Sequence, residues 1–403
     1  MEKGDLKNFF DVFVGKESLF LDKKVLQSSY IPESISYRDN ELKQVANILS
    51  TTLRGDRPSN IFIYGKTGTG KTLSIKYLAN QLTEISKKQN QNLRLVYVNC
   101  KLKKIADTEY RLLAHLGREF GREIPITGLP TDEVYKLFFD AIDKEHQTLI
   151  LILDEVDQLI KKAGDNVLYS LIRINEELKN AQLSIIGISN NLMLTDTLDP
   201  RAKSSLSEEE VVFPPYNAIQ LQEILRQRSK KAFKKGCLGE GVIEKCSAYA
   251  AREHGDARRA LDLLRVSGEL AERNNQDKIT TEHIDLAEKK IEDDWVLDII
   301  KVQPKQFQAT LYCIILLSLQ KKDTIFTGEV YGVYKKICDK TNLQSLTQRR
   351  VSDIIAELDM LGIIHAKVLS KGRYGRTREI SLSVPRTICL QLRNVLGQNL
   401  GLN

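Results

Sequence analysis

Eight consecutive residues, Gly65-Lys66-Thr67-Gly68-Thr69-Gly70-Lys71-Thr72, carry the sharpest chemical signal in the chain. Three glycines at this spacing let the backbone turn tightly and bring N–H groups up to an anion. The lysine after the last glycine sets a positive charge beside the outer phosphates of a nucleotide, and the next hydroxyl is placed to ligate magnesium. Such a loop needs a strand leading in and a helix leading out, with the helix N-terminus aimed at the same anion. Ile61-Phe62-Ile63-Tyr64 reads as the strand, and Leu73 to Leu82 has helical spacing. Gly65 through Leu73 is therefore read as an ATP-binding P-loop.

A second signal is independent of the first. The apolar run Leu149-Ile150-Leu151-Ile152-Leu153 ends in Asp154-Glu155-Val156-Asp157. Acids at this position fall at the carboxyl edge of a parallel sheet, where ligands bind. Asp154 would hold magnesium directly or through water, and Glu155 would orient and polarise an attacking water. Phosphoryl transfer also needs a group that senses the γ-phosphate. Ser184 to Ile188 reads as a strand ending in Ser189-Asn190-Asn191, beside the strand that feeds the P-loop. Asn190 is the choice for that role, with Asn191 the alternative.

These residues must be positioned by a sheet. Residues 61–64, 95–98, 149–153 and 184–188 are apolar strands separated by helical stretches, the pattern of a parallel sheet with crossover helices. The stretch from Asn99 to Gln147 has room for an inserted helical element besides the crossover. After the rigid break Phe213-Pro214-Pro215-Tyr216, residues 217–292 show helical patterns alone. A third unit starts near Trp295, with helical patterns at 304–320, 326–341 and 347–361 and a two-strand pattern over 363–369 and 377–383. The division expected is 1–213 for an α/β nucleotide-binding base, 214–294 for a helical lid and 295–403 for a winged helix-turn-helix domain.

Composition narrows the function classes. With 403 residues, 42% hydrophobic and 28% charged, the chain reads as a folded protein of two or three domains. Its six cysteines are scattered and form no CxxC pair, so neither a zinc site nor a disulfide framework is expected. The longest apolar run, Leu311 to Leu317, is too short for a bilayer and reads as a buried helix. No signal peptide is evident, so a cytoplasmic, nucleoid-associated protein with no membrane partner is expected. The charge is lopsided. Of 60 Lys and Arg against 53 Asp and Glu, residues 296–403 hold 16 against 8, leaving 44 against 45 for the rest. A basic excess confined to one end points to a polyanion.

The third unit specifies which one. Thr347 is a plausible N-cap for a helix whose apolar face is Val351, Ile354, Ile355 and Leu358. Its first turn offers Gln348, Arg349, Arg350 and Ser352, and in a helix-turn-helix that end enters the major groove of DNA. The following hairpin carries Lys367, Lys371, Arg373, Tyr374, Arg376 and Arg378, with no acid before Glu379. Such a tip can lie on a phosphate backbone or probe a minor groove.

Longer segments carry a resemblance. Leu198-Asp199-Pro200-Arg201-Ala202-Lys203-Ser204-Ser205-Leu206, Phe213 to Tyr216, Gly255-Asp256-Ala257-Arg258-Arg259-Ala260-Leu261, Thr347 to Ile354 and Gly372 to Thr377 together resemble archaeal origin-recognition proteins, AAA+ replication initiators, over nearly the whole chain. The resemblance implies roles that spacing does not. Arg201 is similar to an arginine finger that reaches a neighbouring subunit's nucleotide, and Arg258 to a second sensor carried by the lid. Tyr216 and Arg228 match lid positions lining the nucleotide pocket, and Tyr30-Ile31 through Arg38 match a segment packed round the adenine. Tyr37 stands where the family usually has His. The resemblance further implies binding to double-stranded origin DNA through the wing and through a basic insert within 101–135. It also implies other initiator subunits and the replicative helicase as partners, with slow ATP hydrolysis as a switch. A DNA-stimulated remodelling ATPase and a DNA-binding regulator with a structural nucleotide are the alternatives.

Overall fold

The structure, a computed structural model, describes residues 17–402 apart from 103–105, 126, 195–199, 201–202, 204–207, 321–324 and 371–375. It divides into two compact units, 1–284 and 285–403.

In the first unit, helix α1 (Asp39–Leu49) precedes strand β1 (Ile61–Tyr64), which runs through the glycine loop into α2 (Lys71–Lys88). There follow β2 (Leu93–Asn99), α3 (Glu109–Glu119), α4 (Thr131–Ile142), β3 (Gln147–Asp154), α5 (Val156–Ala163), α6 (Asn166–Arg173), β4 (Ala181–Ser189) and β5 (Glu209–Val212). The five strands are parallel in the order β2-β3-β4-β1-β5. All eight residues of β3 are buried, because helices cover both faces of the sheet. That double burial makes the strand a continuous apolar run instead of an alternating one. The two-residue pleat then sorts its side chains. Leu149, Leu151 and Leu153 pack with α3 to α6, whereas Ile150 and Ile152 pack with α1 and α2.

The loop between β2 and β3 holds α3 and α4, the inserted element and the crossover that its length requires. Strand β4 lies beside β1 with Ser189 opposite Tyr64, the adjacency expected from the sequence. Strand β5 was not legible there. Of Glu209, Glu210, Val211 and Val212, only Val211 is buried. A charged edge strand of this kind has no apolar run, and its acids blunt the open edge.

Four helices follow: α7 (Ala218–Ala232), α8 (Val242–Arg252), α9 (Ala257–Arg273) and α10 (Thr281–Lys301). Asn217 and Gln220 close a capping box at the start of α7. The segment before α1 lies on this bundle. Leu21 N–H donates to Ala232 O at 2.8 Å, Lys234 N–H donates to Leu19 O at 3.0 Å, and the Phe20 and Phe233 rings stand 4.7 Å apart. Helix α10 runs unbroken through Trp295, where the sequence places a boundary.

The second unit has α11 (Lys305–Gln320), β6 (Ile325–Phe326), α12 (Thr327–Thr341), α13 (Gln348–Met360), β7 (Ile364–Ser370), β8 (Arg376–Leu382) and α14 (Arg386–Leu400). Helix α11 is the apolar run seen in the sequence, and Leu311 to Ile315 are all buried. No helix among the described residues is long and apolar enough to cross a membrane. The sheet has three antiparallel strands in the order β6-β8-β7, one more than the sequence suggests, because a two-residue strand carries no periodicity. Helix α14 was also missed, although Ile388, Leu392, Leu396 and Leu400 recur at four-residue intervals and are buried. All six cysteines are buried, and none is in a disulfide.

Leu151 sits at the centre of β3 with 1% exposure. Leu151→Ala should destabilise the first unit by about 2–5 kcal/mol, seen as an earlier urea transition. An unshifted midpoint would contradict the packing described.

Candidate nucleotide site and the winged-helix face

The P-loop glycines do what only glycine can. Gly68 and Gly70 have φ of +70° and +88°, the left-handed region that side chains avoid. A Cβ on Gly65 would meet Phe213 O at 2.4 Å, and one on Gly68 would meet Asp256 Oδ1 at 1.8 Å. Thr69 is buried and its hydroxyl donates to Lys66 O at 2.9 Å, fixing the turn. The loop then delivers Lys71 and Thr72 as the first residues of α2.

Lys71 is 5% exposed. Its ammonium donates to Gly65 O at 2.7 Å, Lys66 O at 2.8 Å and Asn190 Oδ1 at 2.9 Å. Burial, followed by the Arg258 charge, pushes its pKa down from 10.5 to about 8, against the opposing pull of Asp154, Asp157 and Asp256. Two cations thus converge at one place. That arrangement suits a polyanion, which would relieve their repulsion.

The carboxyl edge of the sheet supplies the acids. Asp154 Oδ2 accepts from Thr72 Oγ1 at 3.0 Å and from Tyr97 Oη at 2.6 Å, while Oδ1 accepts from Glu155 N–H at 3.0 Å. Glu155 has φ of +55°, a conformation strained for a non-glycine residue, and its carboxylate lies 3.8 Å from Lys101 Nζ. Ser189 Oγ donates to Asp157 Oδ1 at 3.2 Å, tying the start of α5 to the end of β4. Gly68, Thr69, Gly70, Lys71, Thr72, Tyr97, Asp154, Glu155, Asn190 and Arg258 line one polar cleft of about 200 Å³.

A larger cavity of about 460 Å³ opens from this cleft between the N-terminal segment and the lid. Tyr30, Ile31, Leu73, Tyr216, Arg228 and Arg258 line it. Arg228 is buried, with its guanidinium 4.5 Å from the Tyr30 ring and donating to Val25 O at 3.3 Å. Arg258 borders both spaces, so one side chain leads from the lid into the cleft. Arg38 is placed differently. It is 2% exposed, stacks 3.9 Å from the Tyr216 ring, and donates to Thr69 O at 2.9 Å and Pro214 O at 2.5 Å. It supports the P-loop from behind and does not line either space. Lys66 and Thr67 are exposed outside both, and Lys66 Nζ lies 3.4 Å from His254 Nδ1. Arg201 lies outside the described residues.

Two residues of the site escaped the sequence reading. Tyr97 signals itself only as a hydroxyl near the end of an apolar strand. Asp256 caps α9, accepting from Arg258 N–H at 2.7 Å, and packs on Gly68; an Asp before Ala257 is a recognisable N-cap.

In the second unit, Thr347 caps α13 by accepting from Arg350 N–H at 3.4 Å, and Val351, Ile354, Ile355 and Leu358 are buried, as the sequence anticipates. Gln348, Arg349 and Arg350 stand exposed on the first turn, with Arg350 3.7 Å from Asp353. The hairpin β7–β8 follows, with Ser370 opposite Arg376 and Lys367 opposite Glu379. Lys371, Arg373 and Tyr374 lie outside the described residues.

The Lys71 ammonium makes a pH prediction. In the free site it is lost as pH rises through about 8, whereas an unfolded lysine keeps its proton to about 10.5. Its unfavourable effect on folding is therefore complete below pH 8 and disappears between 8 and 10.5. Affinity for a phosphate-bearing ligand should run the other way: flat below about pH 8, weaker above it, with proton uptake on binding. Calorimetric titration with ADP in buffers of different ionisation heat measures both. Affinity constant up to about pH 9.5 would show that the free lysine stays charged.

Family models match three successive stretches: an AAA domain over residues 54–192, a Cdc6 AAA+ ATPase-type lid domain over 222–289, and a CDC6 C-terminal winged helix domain over 298–391. The ORC1-type DNA replication protein of Thermococcus onnurineus is 53% identical over 388 residues, 95% of this chain and 93% of that one. ORC1-type DNA replication protein 1 of Methanosarcina mazei is 52% identical over 382 residues, 94% and 91% of the two chains. The solved structure of the Aeropyrum pernix ORC1 protein in complex with DNA is 40% identical, covers 95% of this chain and 98% of its own, and superposes with a TM-score of 0.82. With a P-loop AAA+ sheet, a helical lid and a C-terminal winged helix in that order, the chain belongs to the family of ORC1-type DNA replication proteins.

Proposed function

We propose that this chain is a replication initiator that binds double-stranded origin DNA, holds ATP between P-loop, lid and N-terminal segment, and hydrolyses it slowly as a switch while helping to load the replicative helicase. The observation that carries this is the convergence of Lys71, Asn190 and Arg258 with Thr72, Asp154 and Glu155 in one polar cleft, on a chain that also bears a winged helix. A cavity of about 460 Å³ beside the cleft has room for a base and sugar, with Tyr30, Ile31 and Tyr216 as apolar walls. The Aeropyrum pernix relative, solved with DNA, supports the DNA-binding part of the reading.

Magnesium fits the donors present. Thr72 and Asp154 offer hard oxygens 3.0 Å apart beside the lysine, which is the donor chemistry this ion takes. Thr72 and Asp154 would hold it, and it would neutralise charge on the phosphates. Glu155 would orient the attacking water, Asn190 would read the γ-phosphate, and Arg258 would carry that state into the lid. Arg201 would act as a finger on the nucleotide of a neighbouring initiator subunit, which makes hydrolysis depend on assembly and keeps an isolated chain slow. The division into base (1–213), lid (214–294) and winged helix (295–403) follows the same reading.

On the DNA side, Gln348, Arg349 and Arg350 would meet base edges and phosphates at the N-terminus of α13. Lys371, Arg373, Tyr374 and Arg376 would reach over the backbone from the hairpin. Basic residues of the 101–135 insert would add a second contact.

Two measurements test the two halves. Lys71→Ala should abolish ATP binding in equilibrium filtration; retained tight binding would refute the P-loop assignment. Arg373→Ala with Arg376→Ala should weaken binding to duplex DNA and make the slope of log K against log salt shallower by about one per arginine removed. Unchanged affinity and slope would exclude the wing.

A further inference from the structure

Tyr97 lines the cleft with a hydroxyl that neither the P-loop nor the acid motif accounts for. It sits near the end of β2, two residues before Asn99, which pairs in register with Asp154. Its phenol donates to Asp154 Oδ2 at 2.6 Å, closer than the Thr72 hydroxyl that shares the same oxygen. An ionised carboxylate offers about four lone-pair positions. Tyr97, Thr72 and Glu155 N–H occupy three of them, so the carboxylate is fixed in one orientation with one position left. The phenol is itself held. Lys76 Nζ lies over its ring, 4.1 Å from the centroid, one helical turn beyond Thr72 on α2.

We propose that Tyr97 is a positioning residue that orients Asp154 for the divalent cation accompanying the nucleotide. This rests on the nucleotide-site reading above. Hydrogen bonds to a ligating carboxylate set its direction as firmly as the ligand bond, and their loss typically weakens metal binding about 10–100-fold. Tyr97 touches no phosphate in this role. It acts through Asp154, and a residue acting this way separates metal-dependent from metal-independent binding.

The test is a titration of the full chain with a fluorescent ADP analogue, in EDTA and then over a range of magnesium concentrations. Tyr97→Phe keeps the ring under Lys76 and removes the donor. The half-saturating magnesium concentration should rise about tenfold or more, with affinity in EDTA within about twofold of the parent. Unchanged magnesium dependence would overturn the proposal, and so would an equal loss in EDTA, which would mark the residue as merely structural. Affinity in EDTA also reports that the variant is folded. If the parent chain itself binds the analogue without any response to magnesium, the nucleotide-site reading fails together with this proposal. A magnesium response in the parent that Tyr97→Phe leaves intact removes Tyr97 alone.

Discussion

The ammonium of Lys71 sets the conditions for the groups around it. A buried cation is tolerable only when it is hydrogen-bonded and set among opposite charges. Three acceptors, from Gly65, Lys66 and Asn190, use its three donors. Asp154, Asp157 and Asp256 supply the negative field, yet burial and Arg258 still hold its pKa near 8. Burial disfavours the ammonium more than Arg258 does, and a phosphate held against it would offset both. The glycine turns, the Asn ending β4 and the Asp ending β3 all answer to this one charge, which is why residues from such distant parts of the chain share one edge of the sheet.

The same loop is gripped by the lid. Ala257 N–H donates to Gly68 O at 3.2 Å, Asp256 packs where a Gly68 side chain would go, and Tyr216 stands where one on Gly70 would go. Arg38 closes the arrangement by bonding the P-loop at Thr69 and the strand-to-lid connection at Pro214. These are directional contacts at close range, so a change in loop geometry reaches α9 as broken or re-formed hydrogen bonds. Arg258 begins just two residues beyond Asp256, inside the first turn of the helix that those contacts aim. Loop and lid are therefore coupled through several short contacts, not through one motif.

Legibility in the sequence followed burial and periodicity. Strands β1, β3 and β4 were readable because burial makes them nearly continuous apolar runs, edge strand β2 from its short stretch Leu95 to Val98, and α11 to α13 because their apolar spacing is helical. Strand β5 was hidden because one buried valine among charged neighbours leaves no pattern, and β6 because two residues cannot show one. The lysine of the cleft was found because its chemistry is tied to the glycine loop it follows, and the aspartate and asparagine because theirs is tied to strand ends. Tyr97 was not, since a tyrosine in a strand is common and its target lies 57 residues away.

Two arginines show where such reading stops. Arg38 and Arg258 were both placed at the nucleotide, and both lie next to the P-loop. Arg258 leads from the lid into the cleft and the cavity, and its charge is felt by Lys71. Arg38 finds three backbone carbonyls, the Glu41 carboxylate and the faces of Tyr216 and Phe213, and its guanidinium is spent on holding the protein together. Residue type and proximity are the same in the two cases; what separates them is whether carbonyl oxygens converge on the guanidinium. Backbone acceptors leave no mark in a sequence, so the division between an arginine that lines an open cleft and one that braces its wall is made by the fold.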